Sequence, residues 1–454
     1  MIKVKKLEEG ENLFDLIVGQ YYIGEAKEDY IYLNDDVKIK TSHDKDGFVP
    51  VFIKRISPPN RIEIDIVDKP FTVVDEVQED KDAALDNETM NKLKPNFKKA
   101  AGMIKKAVKR SGLIMARHHD DCDGYSGALA LEEAIMPLVE KETSKTWQNY
   151  RRQPMTSPYY DYMDAIRDLS TLKDSIKYGK KPLLLLIDNG SGEEDLKSLK
   201  KIKQYDVDII VIDHHIYSEE VNDIVDLHVN PRLFGAEGDI TSGMMGYEIA
   251  KILGEDSPIY AAVSGIADHS CEEFLKPYLE LSGKSKEFLV KLAKCVDFEA
   301  YNLKHMDSDV IYDLFNDKQS ETMDIIYPEI ERVTKDYEKV VDKFLKEKDV
   351  NGGKLYTLDV EKSTLFREYP GPGKVAGIAH RMRKGPHITL GLMGDMIIFR
   401  VDEMNFSITK LLEHLKKEVP YGMVKGGGHD YAGAVKFVPA VREEVEKAFF
   451  EFLK

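Results

Sequence analysis

The chain has 454 residues, 42 % hydrophobic, which is enough for two or three domains with separate cores. No apolar run nears the roughly 18 residues a membrane helix needs, so no membrane partner is expected. A net charge of −16 argues against a general nucleic-acid coat, and three cysteines (Cys122, Cys271, Cys295) with no CxxC pair argue against a disulfide framework or a structural zinc site. The first residues, MIKVKKLEEGENLF, carry no apolar signal-peptide core, so a reducing cytoplasm is the expected location.

Residues 1–74 hold short period-2 segments such as DYIYLND, FVPVFIKRI and RIEIDIVD, broken by Gly, Pro and Asn-Asp. They predict a small β-barrel, OB-like, with either a structural or a partner-docking role. Residues 75–95 are polar and charged and read as a linker, followed by an amphipathic helix to about Arg110. From there the pattern alternates. GLIMARH, PLLLLID and VDIIVIDHH read as buried strands, and YSGALALEEAIMPLVEKE, GEEDLKSLKKIKQY, SGMMGYEIAKIL and PIYAAVSGIAD read as helices. Strand–helix alternation over 96–271 predicts an α/β domain built on a parallel sheet. Residues 272–350 read as a helical connector, and NGGK at 351–354 breaks that pattern. The segment 351–454 returns to strands (KLYTLDV, HITLGLM, MIIFRV) and helices, a second and smaller α/β domain. Its charge differs from the rest: residues 354–454 carry 16 Lys/Arg against 13 Asp/Glu, whereas residues 1–80 carry 11 against 18. A polyanion is expected to lie against the C-terminal part.

Loops at the carboxyl ends of parallel strands converge on one crevice, and the ligand-type side chains of this sequence fall there. The first strand ends in HHDDCDG (His118 to Gly124), the second at Asp188 in LLLLIDNG, and the third at Asp213, His214 and His215; Asp268 closes the apolar segment SGIAD. Hard oxygen donors mixed with imidazole suit Mn²⁺ or Mg²⁺ rather than a thiolate site. So many carboxylates exceed the needs of one ion. Two divalent ions sharing Asp188 as a bridge are the arrangement used for phosphoester hydrolysis. Any one of these aspartates could equally be a helix cap; four clusters at strand and helix ends together favour the metal reading. Within HHDDCDG, Asp120 reads as a bystander facing solvent, and His118, like Asp213, as a group that orients ligands.

These segments resemble the DHH phosphoesterase superfamily. HHDDCDG is similar to its first motif at His119, Asp121, Asp123 and Gly124. LLLLIDNG is similar to the second at Asp188, VIDHH matches the third, and GIADHS the fourth at Asp268. The resemblance implies His119, Asp121, Asp123, Asp188, His214 and Asp268 as metal ligands for two divalent ions, Mn²⁺ before Mg²⁺. It implies Asp188, His214 and His215 as catalytic residues, with His215 on the scissile phosphate. KGGGHDYAGAV is similar to the glycine-rich motif of the DHH-associated domain, which implies phosphate contacts at Gly426, Gly427, Gly428 and His429, since glycines let backbone N–H groups come close to an anion. Arg400, a base in the apolar strand IIFRV, needs an anion or water; it reads as a phosphate anchor or as an edge residue reaching solvent.

Length and motif order resemble most the archaeal RecJ-like exonucleases over about residues 100–454. Two departures bear on specificity. His119 stands where bacterial RecJ usually has aspartate, and the candidate barrel precedes the DHH segment instead of following the DHH-associated domain. The expected activity is a metal-dependent exonuclease on single-stranded DNA or RNA, in replication or repair, with substrate in the cleft between the two lobes. A phosphodiesterase of oligoribonucleotides or cyclic dinucleotides is the first alternative. A scaffold associated with GINS or another replication or RNA-processing protein is the second, and retention of every metal ligand speaks against a purely structural role.

Overall fold

In a computed structural model of the chain, the described residues are 2–7, 16, 18–35, 37–57, 61–73, 87–236, 239–306, 308–365 and 367–453. Strands β1 (Ile2–Val4), β2 (Tyr21–Lys27), β3 (Tyr30–Tyr32), β4 (Lys38–Lys40), β5 (Gly47–Ser57), β6 (Arg61–Ile66) and β7 (Phe71–Val73) form the N-terminal unit. Its antiparallel sheet runs β4-β3-β2-β5-β6, and β1 pairs with β7, giving a near-closed barrel. Alternation builds it. Every second residue of YYIGEAK turns inward, and Tyr22, Ala26, Ile31, Val51 and Ile53 form the core.

Helix α1 (Glu88–Lys109) starts earlier than the expected linker end at residue 95. The Asn87 side chain accepts a hydrogen bond from the Met90 amide and caps the helix, while Met90, Leu93 and Phe97 bury its apolar stripe. The central unit follows as β8 (Ile114–His118), α2 (Cys122–Glu142), β9 (Tyr150–Pro154), α3 (Tyr162–Lys177), β10 (Leu183–Ile187), α4 (Leu196–Lys203), β11 (Asp208–Ile212), α5 (Glu219–Asn222), β12 (Leu227–Val229), α6 (Ser242–Leu253) and α7 (Ile259–Ala267). The five strands are parallel in the order β12-β11-β10-β8-β9. Both faces are covered, which is why LLLLI and DIIVI read as unbroken apolar runs. Ile114, Ala116 and Ile187 face α1, α2, α6 and α7; Met115, Leu184 and Leu186 face α3 and α4.

Helices α8 (Glu272–Ser282), α9 (Lys286–Leu303) and α10 (Gln319–Phe344) connect the lobes. The C-terminal lobe comprises β13 (Lys346–Val350), β14 (Gly353–Asp359), α11 (Pro372–Arg381), β15 (His387–Leu392), β16 (Met396–Asp402), α12 (Ile408–Glu418), β17 (Lys425–His429), β18 (Ala432–Lys436) and α13 (Arg442–Phe452). Its sheet begins at Lys346, before the expected boundary at 351. NGGK is not a domain break but the turn of the β13–β14 hairpin, with Gly352 at a φ of 85°. The mixed sheet runs β13-β14-β15-β16-β18-β17; α10 and α11 pack on one face and α12 and α13 on the other. The two lobes meet where Phe298 and Tyr301 of α9 touch the ring of Tyr369, and where Lys374 of α11 pairs with Asp297 of α9.

Candidate metal centre

Sheet register sets the site. Ile187 lies opposite His118 on one side and Ile212 on the other, so β8, β10 and β11 end at one level. The ladder runs one residue further: the amides of His119, Asp188 and Asp213 donate to the carbonyls of Ile187, Ile212 and Val229. Three segments thus release their polar residues side by side above an apolar sheet. Asp188 leaves the strand with a φ of 62°, a left-handed conformation uncommon for a residue with a side chain and typical of functional turns.

The carboxylate of Asp188 is shared. Its Oδ2 lies 3.2 Å from His119 Nδ1, which is also 2.9 Å from Asp121 Oδ2. Its Oδ1 lies 3.3 Å from His214 Nε2 and 3.7 Å from His215 Nδ1. His214 Nε2 in turn sits 3.2 Å from Asp268 Oδ2 and 3.6 Å from Asp123 Oδ2. Three overlapping donor groups result, each with its ligand atoms within 4.8 Å of one another: His119, Asp121 and Asp188; Asp188, His214 and His215; Asp123, His214 and Asp268. All six expected metal ligands are brought together, with Asp188 and His214 as the shared members.

The charges show what such a cluster takes. Burial alone would lower the imidazoles, yet Asp121 and Asp188 hold His119 well above its ordinary pKa. Asp188 and Asp268 do the same for His214. Burial likewise works against ionised Asp188, but His119 and His214 keep its carboxyl well below the usual range. The fourth carboxyl, Asp123, is pushed well above it, by burial first and then by Asp188 and Asp268. A cluster in which buried carboxylates hold cations against desolvation fits divalent ions with oxygen and imidazole ligands.

Asp123 is held from a side the sequence reading passed over. The Gly243 amide and the Ser264 hydroxyl donate to Oδ1 at 2.7 and 2.5 Å, and the Ser242 amide donates to Oδ2 at 3.0 Å. Ser242 and Gly243 open α6, so the carboxylate sits at a helix N-terminus. The signal was present as Thr-Ser-Gly before an apolar helix; its target lies 119 residues away in sequence. The approach of α6 to α2 needs glycine on both sides, because a Cβ on Gly246 would stand 2.9 Å from the Gly127 Cα.

His118 and Asp213 lie buried beside the expected ligands. His118 is buried against the Tyr125 ring and bonded to the His119 carbonyl, and burial lowers its pKa to about 3. Asp213 accepts from the amides of His214 and Ser191 and lies 2.7 Å from His215 Nδ1. Burial works against a charged His215, but Asp213 outweighs it and raises the pKa, which favours the charged form of the imidazole at the edge of the cluster. Asp120 does not face solvent. Its Oδ2 lies 2.6 Å from His305 Nδ1, at the end of α9. Cys122 points into the apolar core, away from the cluster, and burial raises its pKa well above the ordinary value.

The expected phosphate contacts lie on the C-terminal lobe. Gly426, Gly427 and Gly428 form the edge strand β17 rather than a loop, paired with Val435, Ala434 and Gly433 of β18. An edge strand spends only one side of its backbone on the sheet. Backbone pairing sets His429 opposite Ala432. Tyr431, in the turn between these strands, feels the charges of Asp268 and His214, which brings the hairpin tip beside the metal centre. Arg400 pairs across the sheet with Thr389 and Ala432, donates to the Phe399 carbonyl, and feels the charge of Arg381 on α11.

Comparison with known proteins agrees with this fold. The DHH family, N-terminal domain, matches residues 113–270. A protein of Methanocaldococcus jannaschii is 36 % identical over 417 residues, 81 % of this chain and 55 % of that protein, so the chain spans about half the relative's length. The solved DHH domain of a member of the s1p family of ribosomal proteins is 33 % identical, with a TM-score of 0.77 over 82 % of this chain and 94 % of that one. RecJ of Thermus thermophilus in complex with Mn²⁺ shares the fold at 15 % identity, with a TM-score of 0.52 over 79 % of this chain and 54 % of that one.

Proposed function

The chain belongs to the DHH family, and from that premise we propose that it is a metal-dependent exonuclease that hydrolyses phosphodiester bonds of single-stranded DNA or RNA. The observation that carries this reading is the divided carboxylate of Asp188, one oxygen toward His119 and Asp121, the other toward His214. His119, Asp121 and Asp188 would hold one ion, and Asp188, His214, Asp123 and Asp268 the other, Mn²⁺ before Mg²⁺. When bound, such ions supply Lewis acidity and an activated water. The chain's own groups do the rest. His215, whose charged form Asp213 favours, donates to a non-bridging oxygen of the scissile phosphate. The β17 edge and Arg400, in the lobe with the cationic balance, hold neighbouring phosphates. Tyr431, half-exposed in the turn of that hairpin, offers a ring for base stacking.

The test is digestion of end-labelled single strands of DNA and RNA with Mn²⁺ or Mg²⁺, each label position run separately. A metal-dependent ladder, absent in a folded Asp188→Asn protein, is expected. No cleavage of either polymer by the wild-type chain refutes the proposal, and turnover of a dinucleotide faster than of a long strand replaces it with a small-substrate phosphodiesterase.

A further inference from the structure

A cavity of about 170 Å³ opens on the β9 edge of the catalytic sheet, outside the His/Asp cluster. Register places Met115 opposite Arg151 and Arg117 opposite Gln153, so these four side chains share the face that α3 covers. Asp164, Arg167, Asp168 and Thr171 of α3, with Thr156 and His305, complete the lining.

The charges of this lining do not cancel. Arg117 is fully engaged: its Nε reaches both oxygens of Asp168 at 2.9 Å and its Nη2 reaches Oδ1 at 2.6 Å. The Tyr160 hydroxyl takes a further place on Asp168. Asp164 gives Oδ2 to the amide and hydroxyl of Thr156, leaving Oδ1 to Arg167 at 3.5 Å and Arg117 at 4.0 Å. Arg167 is a loose partner, with its side chain 58 % exposed. Among the described residues the exposed guanidinium of Arg151 has no ion pair or hydrogen bond. His305 is neutralised from outside the cavity, by Asp120. Two forked guanidiniums therefore line the cavity together with the Gln153 side-chain amide and the Thr171 hydroxyl, a donor set suited to a phosphate group. The upper rim lies beside the metal centre: Pro154 is paired with His118, and Asp120, the partner of His305, separates His119 from Asp121.

We propose that this cavity is a second phosphate site, distinct from the metal centre, that takes the phosphate monoester of a nucleotide through Arg151 and Arg167. The nucleotide is either the phosphorylated end of a strand engaged at the metal centre or a released nucleoside monophosphate. The assignment of a nucleotide, though not of a phosphate, rests on the nuclease reading above.

The test is calorimetric titration of the full chain in EDTA, which silences the metal centre, with adenosine monophosphate, adenosine, and short oligonucleotides with and without a terminal phosphate. Adenosine monophosphate is expected to bind at one site per chain, at least about tenfold more tightly than adenosine. The Arg151→Glu, Arg167→Glu double variant is expected to lose that preference, and Lys447→Glu, a change of the same kind on α13, to keep it. A preference for phosphorylated oligonucleotides assigns the strand end; binding of the mononucleotide alone assigns the product. The Arg151→Gln, Arg167→Gln pair repeats the comparison if circular dichroism shows that charge reversal disturbs the fold. Equal binding of adenosine and its monophosphate, or a preference unchanged in the folded double variant, overturns the inference. Phosphate binding without nuclease activity refutes only the functional reading; nuclease activity without phosphate binding refutes only this one.

Discussion

Gly124→Ala separates the metal-site reading from a loop that merely carries charge. A Cβ at Gly124 would stand 2.2 Å from the carbonyl oxygen of His119 and 2.8 Å from its nitrogen and carbonyl carbon. Ordinary contact begins at 3.4 Å, and the obstacle is backbone, which cannot swing aside as a side chain does. His119 is also tied to Ile187 through its amide, so relief must come by moving the first turn of α2 or the end of β8. Overpacking of this kind costs about 1–3 kcal/mol. Alanine returns at most about 1 kcal/mol through helix propensity, so the clash wins. The 2.2 Å approach to backbone places the cost in the upper part of that range, about 2–3 kcal/mol, and the net loss of roughly 1–2 kcal/mol lowers Tm by about 2–8 °C. The second effect is functional. Displacing His119 from Asp188 should weaken Mn²⁺ binding by about 10–100-fold, the scale seen when supports of a metal site are removed. Thermal melts by circular dichroism and Mn²⁺ titrations check both. A variant with unchanged or raised Tm and unchanged Mn²⁺ affinity would refute the reasoning.

Arg117→Ala leaves Asp168 buried without its cation and should cost about 3–5 kcal/mol in urea unfolding; a paired Arg117→Met, Asp168→Leu variant should recover most of it. Burial raises the Asp208 carboxyl, but Arg110 and Lys181 outweigh it and its folded pKa lies below the unfolded one. Its stabilising contribution is therefore complete above about pH 4 and fades as pH falls toward the folded value, so Asp208→Asn should flatten the acid limb of a stability–pH profile. Asp213→Asn removes the carboxylate that raises the His215 pKa; the alkaline limb of the pH–rate profile should move to lower pH while Mn²⁺ binding persists.

The parts of the fold that read clearly in sequence were those whose side chains obey one periodicity. LLLLI and DIIVI are buried on both faces and could only be central parallel strands, and each ends in a ligand that register then aligns. The edge strand β9 is hidden in the sequence because the centre of YRRQP is two adjacent arginines: Arg152 turns inward to Glu132 while Arg151 faces the open cavity, so alternation is masked by ion pairing. For the same reason KEKDV read as the end of a helix, although it is the exposed outer strand of the C-terminal sheet. At the metal centre the ligands were legible as residue types at strand ends. Their supports were not: Ser242, Gly243 and Ser264 reach Asp123 from more than a hundred residues away, and His305 reaches Asp120 from the end of α9. Contacts of that range belong to topology, which no local pattern encodes.

The most direct test of the shared-carboxylate centre is the stoichiometry of Mn²⁺ binding, followed by electron paramagnetic resonance during titration of the wild-type chain and of Asp188→Asn. Two ions per wild-type chain, close enough to broaden each other's signal, with at most one weakly held ion in the variant, is the predicted result. One isolated ion in the wild type, or two ions undisturbed by loss of the Asp188 carboxylate, would contradict it.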